Sequence, residues 1–466
     1  MKRKELKKAG IAGAAMAAAM RAAQEAEAAG IRKKDVLRTL KAVAKNPAAH
    51  VDDAYYGPAA QVLLAQEGRH TPHSEAMADA APYKQWGEDL DPKSITQMNN
   101  ACKLPVAVRG ALMPDAHVGY GLPIGGVLAT DNAVIPYAVG VDIACRMKMT
   151  VLDIPPAALD GDVDRLKRAI EEETKFGVGA SFKQRRQHAV MDCDWNVSPV
   201  TAALKDKAWA QLGTSGSGNH FVEFGIVEII ERGLGPGPGA YLALLSHSGS
   251  RGTGAQVCNH YSKLAQERTG RSLPPECRHL AWLDLDSPEG HAYWAAMNLM
   301  GEYAAANHAL IHYHVAKNLG AEVLLDIENH HNFAWEEEHD GKKVIVHRKG
   351  ATPAGAGVLG IIPGSMASPA YVVRGKGNED ALASCSHGAG RVMSRSQAKK
   401  TLSWAAARRL FAERGVTVLS AGLDEVPMVY KDIDTVMAAQ ADLVAVVAKF
   451  QPRLVKMAPG TERPED

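Results

Sequence analysis

The chain has 466 residues, more than most single domains use, and 46% of them are hydrophobic, which allows a large buried core and excludes extensive disorder. Its 53 Lys and Arg residues balance 52 Asp and Glu residues, leaving a net charge of +1. This balance excludes a uniformly basic nucleic-acid-binding protein, so any nucleic acid must bind a local basic patch.

The N-terminal stretch, residues 1–79, is rich in Ala, Lys, Arg and Glu. Its composition predicts helices over 11–29 and 34–45, and Pro47 ends the second because proline cannot continue a helix. Basic residues followed by an alanine-rich run imitate a secretion signal only loosely, since alanine provides little hydrophobic drive. We interpret this stretch as a small helical extension without chemistry of its own.

From residue 80 to residue 466, glycine-rich turns alternate with short apolar runs. The runs at 127–129, 242–245 and 344–346 are typical of buried strands, and 235–239 is typical of a surface turn. Helices are predicted over 292–318, 396–414 and 434–449. Strands and helices follow one another irregularly, which favours an α+β domain with a central sheet region.

The cysteines are spread widely along the sequence, at Cys102, Cys145, Cys193, Cys258, Cys277 and Cys385. None of them form a CxxC pair, so neither a disulfide framework nor a zinc ribbon is predicted. No segment of the sequence has the length and apolarity needed to cross a membrane. The expected location is therefore the reducing cytoplasm, where a thiolate can serve as a metal ligand or a nucleophile.

Six segments combine a glycine-rich backbone with His, Cys, Asp or Asn side chains, and they span 113–121, 139–146, 213–223, 246–252, 328–332 and 384–391. In the second, Asp142 and Cys145 are three positions apart. On a helical turn their side chains would face the same way, so a carboxylate and a thiolate could meet one ion. Alone this pair is a weak indication, because a lone cysteine is more often a small buried hydrophobe.

Histidines in the other segments strengthen the case for a metal site. His220, His247 and the adjacent pair His330 and His331 lie in loops rich in Gly, Ser or Asn. Such loop histidines are typical of metal sites built on a scaffold, although satisfied structural histidines are an equal alternative by composition. Neighbours in an extended chain point to opposite sides, so only one of His330 and His331 is expected to reach the same cluster.

Anion binding is indicated by glycine loops whose backbone N–H groups can face phosphate oxygens, at 213–218, 249–252, 364–366 and 388–390. Arg251, Arg391 and Arg395 lie beside these loops, and the planar guanidinium fork suits phosphate. His387 sits on the last of them. Its residue type allows a ligand, a general acid or base, or a nucleophile that attacks phosphorus.

At these segments the sequence closely resembles the RtcB family of RNA-splicing ligases, from about residue 81 to residue 456. The matching motifs are Met-Pro-Asp-Ala-His (113–117), Val-Gly-Val-Asp-Ile-Ala-Cys (139–145), Gly-Asn-His-Phe-Val-Glu (218–223), His-Ser-Gly-Ser-Arg-Gly (247–252), His-His-Asn (330–332), Pro-Gly-Ser-Met (363–366), Cys-Ser-His-Gly-Ala-Gly-Arg-Val-Met-Ser-Arg (385–395) and Asp-Glu-Val-Pro-Met-Val-Tyr-Lys-Asp-Ile-Asp (424–434). The resemblance implies one large catalytic domain with central sheets around a metal and GTP cleft, at 80–466.

The resemblance also implies roles for individual residues. One manganese ion would be held by Asp142, Cys145 and His220, and a second by Cys145, His247 and His331. His387 matches the guanylylated histidine of the family, and RNA-end phosphates are expected at Arg251, Arg391 and Arg395. The guanylate would contact Asn219, His220, Phe221, Val222, Glu223, His331, Asn332, Pro363, Gly364, Ser365, Met366, His387, Gly388, Ala389, Gly390 and Lys456. By donor type alone, Cys and His ligands suit zinc better than manganese.

The implied reaction joins an RNA end with a 3′-phosphate or 2′,3′-cyclic phosphate to a 5′-hydroxyl end. GTP would guanylylate His387, the guanylyl group would pass to the 3′-phosphate, and the 5′-hydroxyl would then displace GMP. The expected setting is tRNA splicing or RNA repair. The resemblance leaves open whether an activating protein such as archease takes part.

Two departures from the family pattern bear on this expectation. Arg146 follows Cys145 where the family often has glycine, and Ala370 stands where the family usually has serine. The alternative enzyme is a relative that caps 3′ ends of RNA or DNA with guanylate without efficient joining. A non-catalytic RNA-binding subunit predicts loss of His387 or of the metal ligands, and all are present. A metallo-phosphatase would give His387 no purpose.

Overall fold

A computed structural model describes residues 5–6, 9, 11, 15–67 and 80–461. The chain divides into two compact units, residues 1–75 and 76–466. The predicted boundary at residue 79 falls at the end of the undescribed stretch 68–79. Within the described residues, no helix is long and apolar enough to span a membrane.

The first unit is helical and has its own small core. Its helices are α1 (Ala15–Ala28), α2 (Lys33–Lys45) and α3 (Gly57–Glu67). The predicted helices over 11–29 and 34–45 correspond to α1 and α2, with 12–14 outside the described residues, whereas α3 was not predicted. Small alanine side chains on α1 let it approach α2 closely, and Ala19, Val36 and Leu40 are completely buried.

The second unit contains the strands, and their order along the chain is irregular. They are β1 (Tyr83–Gln85), β2 (Ala107–His117), β3 (Ile124–Thr130), β4 (Ala133–Val134), β5 (Arg146–Leu152), β6 (Phe221–Ile229), β7 (Gly239–Ser248), β8 (Leu283–Asp284), β9 (Val323–His330), β10 (Asn332–His339), β11 (Lys342–Lys349), β12 (Ala351–Pro353), β13 (Leu359–Ile362), β14 (Ala370–Gly375), β15 (Ser384–Ser386), β16 (Thr417–Ser420) and β17 (Val444–Met457). The predicted strands at 127–129, 242–245 and 344–346 lie in β3, β7 and β11.

Helices lie between the strands and cover them. They are α4 (Pro92–Cys102), α5 (Pro136–Val139), α6 (Ala158–Gly161), α7 (Val163–Glu173), α8 (Pro199–Gln211), α9 (Arg251–Arg268), α10 (Pro288–Leu319), α11 (Arg395–Thr401), α12 (Trp404–Arg414) and α13 (Ile433–Ala438). The predicted helix over 292–318 is confirmed as α10. The one over 396–414 is interrupted at Leu402 and Ser403, where Ser403 takes an extended conformation that starts α12.

The predicted helix over 434–449 is wrong beyond Ala438, because the chain enters β17 at Val444. The segment 443–447 reads Leu-Val-Ala-Val-Val, and β-branched side chains pack well on a pleated surface. Strand β17 pairs with β14 on one side and β6 on the other. Pairing with β14 and β6 therefore makes this segment a strand, although the spacing of its apolar residues alone is compatible with a helix or a strand.

Two large sheets form the α+β domain predicted from the sequence. One has the strand order β1-β2-β3-β11-β10, and the other has the order β13-β14-β17-β6-β7-β5-β9, with β16 added beside β17. They pack against each other through a shared core in which Val127 and Val346 of the first sheet meet Tyr371 and Val373 of the second. A cavity between these sheets is lined by His117 and Ile124 of the first sheet and by Phe221 and Glu223 of the second.

Candidate active site

A tight turn before β5 brings Asp142 and Cys145 together. The Cys145 N–H donates to the Asp142 carbonyl at 3.2 Å, and Ala144 between them has a φ of 58°, so the pair sits on a turn and not on a helix. The Ala144 N–H donates to the Asn332 carbonyl at 2.7 Å, and the His331 N–H donates to the Cys145 carbonyl at 3.0 Å. The turn is therefore fixed against the junction of β9 and β10.

Four neighbouring strands explain how residues far apart in sequence meet here. The sheet order β6-β7-β5-β9 places His220 before β6, His247 near the end of β7, Cys145 before β5 and His331 after β9. The register confirms this proximity, since Phe221 lies opposite His247 and Arg146 lies opposite His330. All these side chains therefore lie at one edge of one sheet.

Their donor atoms form two groups that share Cys145. In the first, Cys145 Sγ lies 3.0 Å from His247 Nε2, which lies 3.3 Å from His331 Nε2. In the second, Cys145 Sγ lies 3.4 Å from His220 Nε2, which lies 3.1 Å from Asp142 Oδ2. Within each group the donor atoms all lie within 4.8 Å of one another. Either group could hold a metal ion.

The protonation states of these residues suit metal binding. Burial lowers the pKa of His247 to about 3 and that of His331 well below its usual value, so both rings are neutral and offer a lone pair. Burial alone would raise the pKa of Asp142, but its contacts with His220 and the charge of Arg251 outweigh it and lower that pKa. A carboxylate, imidazoles and a cysteine sulfur are donors that divalent transition metals accept.

His330 points away from this cluster, as expected for the neighbour of His331 in an extended chain. Its ring stacks on Trp335 with centroids 5.0 Å apart. Arg146 also turns away: it is buried and paired with Glu328 at 2.9 Å. Neither residue occupies the space between the metal-ligand candidates.

Arg251 lies behind His220, not on an open surface. Its side chain is 2% exposed, and its Nη1 donates to the Ser215 carbonyl at 2.7 Å and to His220 Nδ1 at 3.1 Å. Gly216 has a φ of 88°, and a Cβ there would lie 1.9 Å from the guanidinium, so another residue would strain the backbone and displace Arg251. The structure thus brings Arg251 to the metal-ligand candidates through His220.

A cavity of about 740 Å³ lies between the two sheets and contains His387 in its wall. His387 follows β15, and its ring centroid is 5.0 Å from that of His331, so it borders the ligand groups. Its Nδ1 lies 2.7 Å from Oδ2 of Asp115, which also accepts from the His387 N–H at 3.1 Å. Three polar contacts with one carboxylate, including the Gly388 N–H at 3.3 Å, fix this turn.

Asp115 is a candidate functional residue that the sequence did not single out. It is completely buried on β2, where burial disfavours ionisation, but the neighbouring His387, His117 and Lys431 lower its pKa below the usual value. The carboxylate is therefore ionised and accepts the proton of His387 Nδ1. The sequence carried one indication, since Asp115 lies inside the motif 113–117 that also supplied the family resemblance.

Most residues predicted to bind the nucleotide line this cavity, namely Asn219, Phe221, Glu223, Pro363, Gly364, Ser365, Met366, His387, Gly388, Ala389 and Gly390. Of the described residues, the remaining ones predicted for this role lie outside its wall: His220, Val222, His331, Asn332 and Lys456. Val222 packs in the core with Leu242. Lys456 Nζ donates to Thr174 Oγ1 at 3.3 Å, away from the cavity lining.

Arg391 and Arg395 both line the cavity, over a pair of buried acids. Arg391 Nη1 lies 3.3 Å from Glu425 Oε2, and Arg395 Nη1 lies 3.2 Å from Asp424 Oδ2 and also contacts Glu425. The two arginine side chains keep 15% and 22% exposure. Fixed and partly exposed guanidinium groups are suited to bind a phosphate.

Comparison with known proteins identifies the family. The family model described as "tRNA-splicing ligase RtcB" matches residues 97–208 and 193–457. The RNA-splicing ligase RtcB of Escherichia coli strain K12 is 35% identical over 407 residues, covering 79% of this chain and 95% of that protein. The tRNA-splicing ligase RtcB of Nanoarchaeum equitans is 35% identical over 437 residues, covering 77% and 90%. The RNA-splicing ligase RtcB of Mycobacterium tuberculosis is 34% identical over 432 residues, covering 76% and 98%.

Proposed function

The chain belongs to the RtcB family, and from this premise we propose that it is a GTP-dependent RNA ligase. It joins RNA ends carrying a 3′-phosphate or 2′,3′-cyclic phosphate to ends carrying a 5′-hydroxyl, in tRNA splicing or RNA repair. The observation that carries the proposal is the position of His387, in one cavity with phosphate-binding groups and beside two metal-ligand groups.

His387 is the proposed nucleophile. The carboxylate of Asp115 can only accept, so the proton of a neutral His387 ring resides on Nδ1 and the lone pair on Nε2 is free. Nε2 attacks the α-phosphorus of GTP, the new N–P bond forms, and the bond to pyrophosphate breaks. Asp115 stabilises the positive charge that the ring acquires in this step.

The guanylyl group then passes to RNA. A 3′-phosphate oxygen attacks the α-phosphorus, which breaks the N–P bond and restores His387. The 5′-hydroxyl oxygen attacks the activated 3′-phosphate, GMP leaves, and the hydroxyl proton goes to solvent. Arg391 and Arg395 are the proposed partners of the phosphates that meet here, because both line the cavity beside His387.

The proposed cofactor is a pair of manganese ions, one on Asp142, Cys145 and His220 and one on Cys145, His247 and His331. The convergent donor atoms and the neutral rings of His247 and His331 suit a divalent transition metal, and the choice of manganese over zinc follows from the family resemblance. When bound, the metals would neutralise phosphate charge and activate water to open a cyclic phosphate. We place the reaction in the cytoplasm, since every cysteine is a free thiol.

A second candidate function stops at the guanylylated 3′ end. Ala370 lines the cavity with a methyl group where a hydroxyl is usual in the family, and the loss of a nucleotide contact would favour release before joining. Gel electrophoresis of RNA carrying a labelled 3′-phosphate separates capped from joined product. Accumulation of capped RNA in the presence of 5′-hydroxyl RNA would favour this candidate.

The decisive experiment is incubation with manganese and GTP labelled on the α-phosphate. A covalent label on the wild type that His387→Ala abolishes is the expected result. The control is His291→Ala, because His291 is exposed on α10 outside the cavity lining. Unlabelled wild-type protein with metal bound would contradict the ligase and point to a hydrolase or a binding role.

A further inference from the structure

An exposed aromatic ring stands at the wall of the cavity that contains His387. Tyr120, in the loop between β2 and β3, is 64% exposed, and Val118 beside it is 45% exposed. Both residues line the same cavity as His387. Single exposed apolar side chains are ordinary on protein surfaces, so exposure alone indicates nothing. The way in which the loop is held distinguishes this ring.

The backbone of the loop is fixed at two successive residues by side chains from elsewhere in the fold. Gln97 donates to the Gly119 carbonyl at 2.6 Å and accepts from the Gly119 N–H at 3.0 Å. Lys349 Nζ donates to the Tyr120 carbonyl at 2.6 Å. Lys349 is only 6% exposed, and burial lowers its pKa to about 8. Burial of the Lys349 ammonium group opposes folding, so its hydrogen bond to the Tyr120 carbonyl is formed at a cost in folding free energy.

The ring is also held from the side. His279 meets Tyr120 in an edge contact with centroids 5.9 Å apart, and Tyr137 meets His279 in the same way at 4.9 Å. Gly121 has a φ of 72°, and a Cβ there would lie 3.0 Å from the His279 carbonyl oxygen, so the loop fits closely against His279 only with glycine. The Tyr120 ring is thus oriented while most of it stays open to solvent.

The position of Tyr120 separates it from the proposed guanylate site. Tyr120 follows β2 of the five-stranded sheet, whereas Glu223 and Val455 enter the cavity from β6 and β17 of the other sheet. His387 lies in the same cavity as these residues of both sheets. Its ring is stacked on that of His117 at the end of β2, with centroids 6.5 Å apart. A ligand against Tyr120 would therefore approach His387 from the side of the first sheet.

We propose that Tyr120 is a stacking platform for the base of an RNA-end nucleotide that enters the cleft, and that it positions this end toward His387. The proposal rests on the proposed ligase function. Single-stranded nucleic acid binds proteins largely by stacking bases on aromatic rings, which tolerates any base sequence. A ligase acting on different RNA ends needs such tolerance. Because the loop is already ordered, the ring can orient the base without an entropic cost of ordering the loop on binding.

The test uses full-length protein and RNA with 2-aminopurine at the 3′-phosphorylated nucleotide in one oligonucleotide and at the 5′-hydroxyl nucleotide in another. Stacking is expected to quench the fluorescence of one probe on wild type and Tyr120→Phe, and the quenching is lost in Tyr120→Ala. The KM for RNA in joining should rise roughly 5- to 100-fold in Tyr120→Ala, with a smaller change in kcat. Tyr313→Ala is the control, because Tyr313 is 56% exposed on α10.

An RNA lacking the base at the quenched position completes the test. This RNA has no base to stack on the Tyr120 ring, so removal of the ring should cost it no affinity. It should therefore bind wild type and Tyr120→Ala equally. Equal quenching and equal KM in Tyr120→Ala and wild type would overturn the proposal. Missing covalent GMP on wild-type protein would instead contradict the ligase function, so the two proposals fail on different measurements.

Discussion

Oδ2 of Asp115 lies 2.7 Å from Nδ1 of His387, and the carboxylate is completely buried. The same oxygen also accepts the backbone N–H groups of His387 and Gly388. One acidic side chain therefore sets both the conformation of the turn and the tautomer of the ring. This arrangement decides which nitrogen can act as a nucleophile.

Replacing Asp115 by asparagine should reduce self-guanylylation by roughly 10- to 100-fold, because a neutral amide stabilises the positive charge that the ring acquires less than a carboxylate does. An amide oxygen in the place of Oδ2 would still accept the Nδ1 proton and the two backbone N–H groups, so the tautomer of His387 would be kept. The amide NH₂ would take the buried place of Oδ1. The measurement is the rate of covalent labelling by α-labelled GTP.

The control for this substitution is Asp131→Asn, because Asp131 is an exposed acid at the end of β3. The metal content of both variants should match that of the wild type. A labelling rate in Asp115→Asn within a few-fold of wild type would show that the negative charge of Asp115 does not assist the reaction.

Cys145 belongs to both donor groups, so its loss should affect both metals. Cys145→Ala is expected to lose most manganese binding, whereas His220→Ala and His331→Ala should each retain about one bound ion. The measurement is bound manganese per protein by mass spectrometry after equilibrium dialysis. Cys193→Ala is the control, because Cys193 lies outside both groups. One retained ion in Cys145→Ala would contradict sharing of the sulfur.

Glu223 predicts a pH dependence of guanine binding. Burial raises the pKa of Glu223 well above the usual value, so burial favours the neutral form of this carboxyl group in the empty site. The family resemblance leads us to expect that Glu223 contacts the guanylate; if it accepts the N–H donors of guanine as a carboxylate, binding releases a proton. The affinity for guanosine should therefore rise with pH, by up to about tenfold per unit while the pH stays below the pKa of Glu223.

Guanosine is the suitable ligand here, since it carries no phosphate that titrates in the same range. Competition with labelled GTP measures its affinity between pH 6 and pH 8. Glu223→Gln should bind more weakly and lose the pH dependence, whereas Glu228→Gln on the same strand is the control because Glu228 is exposed. An unchanged slope in Glu223→Gln would assign the proton to another group.

The sequence predicted the members of the site better than their arrangement. Loop glycines and histidines indicated the residues that form the two candidate metal-ligand groups, and adjacency in an extended chain correctly separated His331 from His330. Arg251 looked like an open phosphate ligand because its burial behind His220 depends on the packing against Gly216. Asp115 had no distinguishing local pattern, since its partner His387 is 272 residues away. Contacts of that kind come from sheet packing, which residue spacing does not encode.

His347 gives a prediction on stability at acid pH. Its Nε2 accepts the Ile135 N–H at 2.9 Å, and its Nδ1 lies 3.2 Å from the Leu128 carbonyl, so the buried ring serves as a neutral bridge. Burial lowers its pKa to about 4, against an unfolded value of about 6.5. Below pH 6.5 the unfolded chain binds the extra proton, so the free energy of unfolding falls as the pH falls toward 4.

This one histidine should remove about 2 kcal/mol of the unfolding free energy between pH 6.5 and pH 5. His347→Leu should be less stable than wild type at pH 7, because the Ile135 N–H loses its acceptor, yet it should lose less stability on acidification. Urea unfolding at pH 7 and pH 5 measures both effects, with His291→Leu as the exposed control. The comparison of slopes isolates His347, since the other buried histidines titrate in all three proteins. Parallel losses in wild type and His347→Leu would mean that His347 is protonated without cost in the folded protein, and that the bridge to Ile135 and Leu128 does not hold the ring neutral.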